Sequence, residues 1–146
     1  FYEYLLILHF CNLLYFVTIK LLFKNAYGGK FMTEKDDSLV VVWTSGDREI
    51  ALKMVFMYTL NSKLKDWWKN VCLIVWGPST KLLGEDVELQ DYIKKMKEAG
   101  VVLEACKACS DSYGVSEKLE ELGVNVKYMG EPFTAYIKNS RKVITF

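Results

Sequence analysis

The feature that most constrains the fold is a series of five short apolar runs rich in Val and Ile, separated by segments with helical spacing. The runs occupy residues 39–43 (LVVVW), 71–76 (VCLIVW), 101–105 (VVLEA), 124–129 (VNVKYM) and 142–146 (KVITF). The first two are apolar nearly throughout, which is typical of strands covered on both faces. Because strands and helices alternate, the sequence predicts βαβ units and a mainly parallel sheet with helices on both faces.

The longest helical segment follows the first run. Asp47 can cap a helix that runs to about Ser62. The spacing of apolar residues places one set on a common face, namely Ile50, Ala51, Met54, Val55 and Tyr58.

Three further helices complete the pattern. Residues 89–96 have helical spacing and stop before Gly100, a third segment is capped by Ser116 and stops before Gly123, and Pro132 suits the first turn of a last helix. The sequence therefore predicts a flavodoxin-like, three-layer α/β/α domain with a mainly parallel sheet of about five strands. The order of those strands is not readable from one sequence.

Charge and histidine content exclude several functions. The 146 residues carry 19 Lys and Arg against 18 Asp and Glu, and no basic surplus gathers for phosphate recognition, so we expect no nucleic-acid partner. His9 is the one histidine and precedes the domain, so the domain cannot supply a Ser–His–Asp or Cys–His set. Four cysteines without the spacing of a secreted disulfide framework favour a reducing cytoplasm.

Residues 1–31 differ in composition from the rest. The part from residue 4 to residue 23 is long enough for a membrane span, but Glu3, His9, Asn12 and Lys20 interrupt the stretch. We expect a mis-called extension of a protein that begins at Met32, with a membrane anchor and a genuine buried helix as the alternatives. The domain itself would then cover residues 32–146.

Polar loops follow the predicted strands and should meet at the carboxyl edge of the sheet, where ligands bind in folds of this class. Candidate pocket or anion-binding residues in these loops are Thr44, Ser45, Gly46, Asp47, Gly77 and Ser79. A turn with a helix cap explains the same residues, and neither nucleotide-binding glycine motif occurs, so no cofactor is expected. A non-catalytic binding module, with a small pocket edged by Trp43, Trp76 and Ser45, remains a further alternative.

Cys106 and Cys109 form a C-x-x-C pair after the third run. One such pair is too few ligands for a closed zinc site, so no metal is expected. A dithiol redox pair stays open, because a second thiol can resolve a mixed disulfide. Cys72 lies inside an apolar run, where a free cysteine behaves as a small hydrophobe.

The position of Cys106 also suits covalent sulfur chemistry. It ends a strand, and the following KACSDSY can form a short helix that Gly114 closes. The helix dipole and Lys107 would favour the thiolate of Cys106, which is the form that can carry a persulfide. Cys109, one turn later, would be a helper or a resolving thiol.

From about Ser38 to Phe146 the chain resembles the DsrE/DsrF-like family, which includes the Tus sulfur-relay subunits. The resemblance lies in VVWTSGD before a long helix, LIVWGPS after the second strand, and a strand that ends in Cys106 and is followed by Gly114. The chain departs from the pattern at Tyr113, where active members often have a basic residue, and in having Cys109.

The resemblance implies a function and an assembly. In active members the cysteine at the position of Cys106 accepts sulfur as a persulfide and passes it to a partner protein. By that resemblance we expect a sulfurtransferase-like carrier with donor and acceptor proteins as partners. A homo-oligomer, trimer or hexamer, is implied in the same way.

Overall fold

One parallel sheet of five strands organises residues 37–146, the part of the chain that the computed structural model describes. The strands are β1 (Ser38–Trp43), β2 (Asn70–Val75), β3 (Val102–Cys106), β4 (Asn125–Lys127) and β5 (Lys142–Thr145). Their order is β4-β3-β2-β1-β5, and every neighbouring pair is parallel. The predicted α/β class and five-stranded sheet are thereby confirmed.

Expectations for residues 1–31, including His9 and a start at Met32, lie outside the described residues. The boundary between residues 31 and 32 stays a prediction. Between residues 37 and 146, no helix is long and apolar enough to cross a membrane.

Six helices connect the described strands. The first, α1, combines Arg48–Ile50, a π-helical segment Ala51–Phe56, and Met57–Leu64. The others are α2 (Pro78–Glu85), α3 (Val87–Glu98), α4 (Lys107–Ser112), α5 (Ser116–Glu121) and α6 (Gly130–Lys138). The helices predicted around residues 48–62, 89–96, 107–113, 116–122 and 132–138 are all present.

The apolar face predicted for α1 is partly wrong. Ala51 and Val55 are buried as expected, but Ile50 and Met54 are exposed, and Phe56 is fully buried instead. The reason is the π-helical segment, in which each residue turns through a smaller angle than in an α-helix, so the 3.6-residue period does not hold.

Two other local expectations need correction. The turn predicted at residues 77–80 opens helix α2, with Pro78 at its first position, which suits a residue that lacks an N–H group. Ser116 does not cap α5, because Val115 holds that position and the Ser116 hydroxyl is bonded to the carboxylate of Asp111 at 2.6 Å.

The strand order explains how the helices are distributed. From β1 to β4 the sheet grows in one direction, so right-handed crossovers place the intervening helices on one face. Strand β5 lies beyond β1, so the connection from β4 runs back across the sheet, and the same handedness places α6 on the opposite face. Strands β3 and β4 are therefore neighbours whose following connections leave to opposite faces, which makes their carboxyl ends the topological switch point.

Two apolar clusters confirm this distribution. The first face packs the odd-numbered residues of β1, such as Val41 and Trp43, against α1, α2, α3 and α5. The second face carries Val40, Val42, Cys72, Ile74, Cys106 and Met129, with Phe133 and Tyr136 of α6 packed against them.

Candidate functional site

Cys106 stands at the switch point. It is the last residue of β3 and the N-cap of α4, with φ −72° and ψ 111°. Its side chain is 5% exposed and belongs to the apolar cluster on the second face. Its register partner on β4 is Lys127, which projects from the same face.

Cys109, in α4, contacts Cys106 directly. It packs on the second-face cluster that contains Cys106, and its sulfur interacts with the Cys106 thiol and with the backbone N–H of Gly77. Burial raises the pKa of Cys109, the bond to Cys106 raises it further, and the N–H of Gly77 opposes both. Cys109 is half-buried, so it is the more accessible member of the pair.

Gly77 reaches this position because of its backbone. It follows β2 with φ 73° and ψ −138°, a conformation that is essentially restricted to glycine. Of the predicted loop residues, Gly77 is the one whose backbone contacts the cysteine pair. Its relation to Cys109 could not be read from sequence, because the two are 32 residues apart and meet only through the β2–β3 pairing.

Aromatic residues close the second face beside the pair. Trp76, just after β2, packs edge-to-face against Phe133 of α6 with ring centroids 5.4 Å apart. Both rings pack on the cluster that contains Cys106, so the sulfur atoms lie in largely apolar surroundings.

Lys107 pairs its charge with Asp111. Its ammonium bonds both carboxylate oxygens of Asp111 at 2.9 Å, and this pairing raises the pKa of Lys107. Asp111 in turn accepts from Ser116, which together with Lys107 lowers the pKa of Asp111. The positive charge expected to favour the Cys106 thiolate is therefore paired with a carboxylate instead.

Gly114 ends α4. It has φ 69°, in the left-handed region that favours glycine, and its N–H donates to the carbonyl of Asp111 at 3.0 Å. The next N–H, of Val115, donates to the carbonyl of Ser110 at 2.9 Å. These two bonds close the short helix that carries Cys109.

A buried carboxylate near the pair was missed by the sequence analysis. Glu104 is 3% exposed and shares the second face with Cys106, two residues along β3. Its Oε1 lies 2.5 Å from Nζ of Lys127, and the Tyr136 hydroxyl donates to both of its oxygens at 3.0 Å. The sequence signal was a charged residue in the middle of an apolar run, which requires a partner when it is buried.

Polar groups of the loop after β1 form hydrogen bonds with other groups of the protein. Thr44 donates its hydroxyl to the carbonyl of Phe146 at 2.8 Å, and the Ser45 hydroxyl accepts from the N–H of Asp47 at 3.1 Å. Asp47 caps α1 by accepting from Glu49 and Ile50. A carboxylate thus already occupies the anion-attracting end of this helix, and Gly46 lies exposed between these residues.

Ser79 ties two strand ends together. It is fully buried, donates its hydroxyl to the carbonyl of Trp43 at 2.6 Å, and accepts from the N–H of Trp76 at 3.0 Å. Anion binding by these loops stays a prediction, and their hydrogen bonds are those of turns and caps.

The two tryptophans do not edge one pocket. Trp43 is fully buried on the first face, where its ring packs edge-to-face on Phe56 with centroids 5.0 Å apart. Trp76 packs on the second face. The pocket expected between Trp43, Trp76 and Ser45 is therefore not formed, because the first two side chains leave the sheet on opposite sides.

The remaining thiol among residues 37–146 belongs to the core. Cys72 is buried in β2, and burial raises its pKa to about 12. Cys72, Cys106 and Cys109 are all free. No group of three or more His, Cys, Asp or Glu side chains within the described range could hold a metal ion.

Comparison with known proteins places this arrangement in context. The sequence model of the DsrE/DsrF-like family matches residues 47–146. The conserved protein of unknown function BT1422 from Bacteroides thetaiotaomicron has a similar structure, with a TM-score of 0.74 and 38% identity over 79% of this chain and 98% of that chain. The ychN protein from E. coli shares the fold, with a TM-score of 0.59 and 16% identity over 75% of this chain and 98% of that chain. No curated protein matches the chain.

Proposed function

The chain belongs to the DsrE/DsrF-like family, and from this premise we propose that it is a sulfur carrier in which Cys106 holds sulfane sulfur as a persulfide and passes it to a partner protein. The observation that carries the proposal is the position of Cys106 at the switch point, at the end of β3 and in contact with a second thiol. Sites in parallel α/β sheets lie at this edge, beyond the carboxyl ends of the strands.

The chemistry needs no external oxidant or reductant. A donor persulfide, RSSH, gives its outer sulfur to the Cys106 thiol, which yields Cys106-SSH and RSH. One S–S bond breaks and another forms, and the proton of the attacking thiol ends on the released thiol. Transfer to a thiol on the acceptor protein repeats the same exchange in the opposite direction.

The apolar surroundings support storage. Cys106 is shielded by the second-face cluster, so water and small oxidants have limited access to a sulfane sulfur held there. Lys127, opposite Cys106 in the β3–β4 register, is paired with Glu104 on the same face, so the two charges beside the thiol compensate each other.

Intact-mass spectrometry tests the proposal directly. The protein is incubated with glutathione persulfide, freed of excess donor and weighed, and we expect an added mass of one sulfur. Cys106→Ser should lose the stable adduct, whereas the control Cys72→Ala, at a buried cysteine of the same face, should retain it. Wild-type protein that gains no sulfur, or a Cys106→Ser variant that retains it as stably as the wild type, contradicts the proposal.

A dithiol redox function is the second candidate, and the packing of the two C-x-x-C thiols on one apolar cluster favours it. Oxidation would join Cys106 and Cys109 in a disulfide and give two electrons to the acceptor. Titration against glutathione buffers, read by the mass loss of two hydrogens, measures the potential. A disulfide formed without any persulfide would favour this function over sulfur carriage.

Assembly and partners are part of the same proposal. Family membership supports a homo-oligomer, trimer or hexamer, with separate sulfur donor and acceptor proteins in a reducing cytoplasm. Sedimentation equilibrium measures the subunit number, and a monomer at micromolar concentration would contradict the oligomer.

A further inference from the structure

The two thiols of the pair differ in accessibility. Cys106 is 5% exposed among the apolar side chains of the second face, whereas Cys109 is half-buried on α4. A donor must bring its outer sulfur in line with the attacking thiolate, and a donor of peptide size needs an open approach. Such a donor therefore meets Cys109 before it can meet Cys106.

Cys109 is also equipped to attack and to leave. The Cys109 sulfur is negatively charged as the thiolate that attacks a donor, and it becomes negatively charged again as the leaving group when it gives up the acquired sulfur. Interaction with the N–H of Gly77 opposes the rise in the pKa of Cys109 that burial causes, and so favours the charged form of this sulfur in both steps. Gly77 can hold its N–H there because its positive φ turns the backbone after β2 toward α4.

The contact between the sulfurs provides the second step. Cys109 lies one turn of helix after Cys106 and packs on the same apolar cluster, which brings the two sulfurs together for an exchange reaction. Both lie on the same face, packed by the cluster that includes Met129, Trp76 and Phe133.

We propose that Cys109 accepts sulfane sulfur from the donor and passes it to the buried Cys106 within the same chain, an inference that rests on the proposed function. In the first step, RSSH and Cys109-SH give Cys109-SSH and RSH. In the second, Cys109-SSH and Cys106-SH give Cys109-SH and Cys106-SSH. Each step breaks one S–S bond and makes another, and the attacking thiol's proton passes through solvent to the departing thiolate.

Such a relay accounts for the arrangement of the pair. Uptake requires an accessible thiol and storage requires a protected one, and a single side chain cannot be both. The adjacent cysteines divide these roles, with the accessible one at the helix surface and the protected one at the strand end.

Rapid-quench peptide mass spectrometry with glutathione persulfide tests the order. In wild-type protein, we expect sulfur on Cys109 first and on Cys106 later. Cys109→Ser and Cys109→Ala should load Cys106 at least 10-fold more slowly but to a similar final extent. Cys106→Ser should take sulfur on Cys109 at the wild-type initial rate and lose it quickly to added glutathione, and Cys72→Ala should behave as wild type.

The outcomes separate the relay from the proposed function. Loading of both Cys109 variants at the wild-type rate overturns the relay and leaves Cys106 as a carrier. Release of sulfide with a disulfide between Cys106 and Cys109 overturns it as well, because the second thiol then ends the persulfide instead of passing it on. Absence of sulfur from the wild type contradicts the proposed function and the relay with it.

Alkylation, which involves no sulfane sulfur, tests whether Cys109 is the more accessible thiol. Iodoacetamide should alkylate Cys109 in the wild-type protein at least 10-fold faster than Cys106, because attack requires access. Equal rates would overturn the proposed order even if sulfur is carried. Circular dichroism of each variant establishes that the fold is retained.

Discussion

Cys72 shows what burial alone does to a thiol in this protein. It lies on the same face as Cys106, but it sits in the middle of β2, and desolvation raises its pKa from 9.0 to about 12. The neutral thiol is the form that the core accepts. Cys72 is therefore a core residue, and ionisation of its thiol at high pH should destabilise the folded protein.

This shift predicts a pH dependence of folding. Above about pH 9 the unfolded chain releases the Cys72 proton while the folded protein retains it, so stability is complete below that pH and falls as pH rises toward 12. The wild type should lose about 1 kcal/mol more than Cys72→Ala between pH 9 and pH 10. Urea unfolding at pH 7.5, 9 and 10 measures the difference, and parallel curves for the two proteins would contradict it.

Glu104 and its partners Lys127 and Tyr136 form a second residue-scale feature, and losing one of these contacts should measurably lower stability. Tyr136 donates to both carboxylate oxygens, and its pKa is raised by burial first and by that hydrogen bond second. Tyr136→Phe leaves a buried carboxylate without one of its donors. We expect the free energy of unfolding to fall by about 2 kcal/mol, the usual cost of losing a hydrogen bond to a charged group.

Tyr128→Phe is the matched control, because Tyr128 is 68% exposed. It should change the free energy of unfolding by less than about 0.5 kcal/mol. Equal effects of the two substitutions in urea unfolding would show that Glu104 does not depend on the Tyr136 hydroxyl.

At the scale of elements, α2 and the start of α5 approach too closely for any side chain larger than glycine. A Cβ at Gly84 would lie 2.6 Å from Cγ1 and 2.8 Å from Cβ of Val115. This contact joins the helix that follows the Gly77 turn to the segment that follows Gly114. The contact between Gly84 and Val115 therefore connects two of the segments that surround the cysteine pair.

Gly84→Ala should consequently destabilise the protein by about 1 to 2 kcal/mol, because overpacking outweighs the helical preference for alanine. Gly130→Ala, at the start of α6, is the comparison, since no atom lies within 4 Å of its added Cβ. Thermal unfolding of both variants checks this. A stabilised Gly84→Ala variant would mean that Val115 moves aside without cost.

For the whole molecule, the strand order predicts a gradient of local stability. Strands β1 and β2 are central, paired on both sides and buried, whereas β4 and β5 are edge strands with exposed residues. Amide hydrogen exchange should be slowest in β1 and β2 and at least 10-fold faster in β4 and β5, because edge strands open without breaking the core. Uniform protection across the sheet would contradict this expectation.

Much of the fold could be read from the sequence because its signals are local. Apolar runs of five or six residues and the glycines after helices marked β1 to β5 and five of the six described helices. The face of α1 was misjudged because a π-helical segment broke the period, and α2 was missed because residues 77–80 looked like a turn. Both errors come from local geometry that departs from the common pattern.

The sequence by itself determined the α/β class, the C-x-x-C spacing and the place of Cys106 at a strand end, since each depends on neighbours in the chain. Only the tertiary structure decided the strand order, and with it the switch point between β3 and β4. It also decided that Cys106 is the protected thiol, Cys109 the accessible one and Gly77 the donor beside it. These features depend on contacts between residues far apart in sequence. Strand pairing creates those contacts, and no local sequence pattern predicts them.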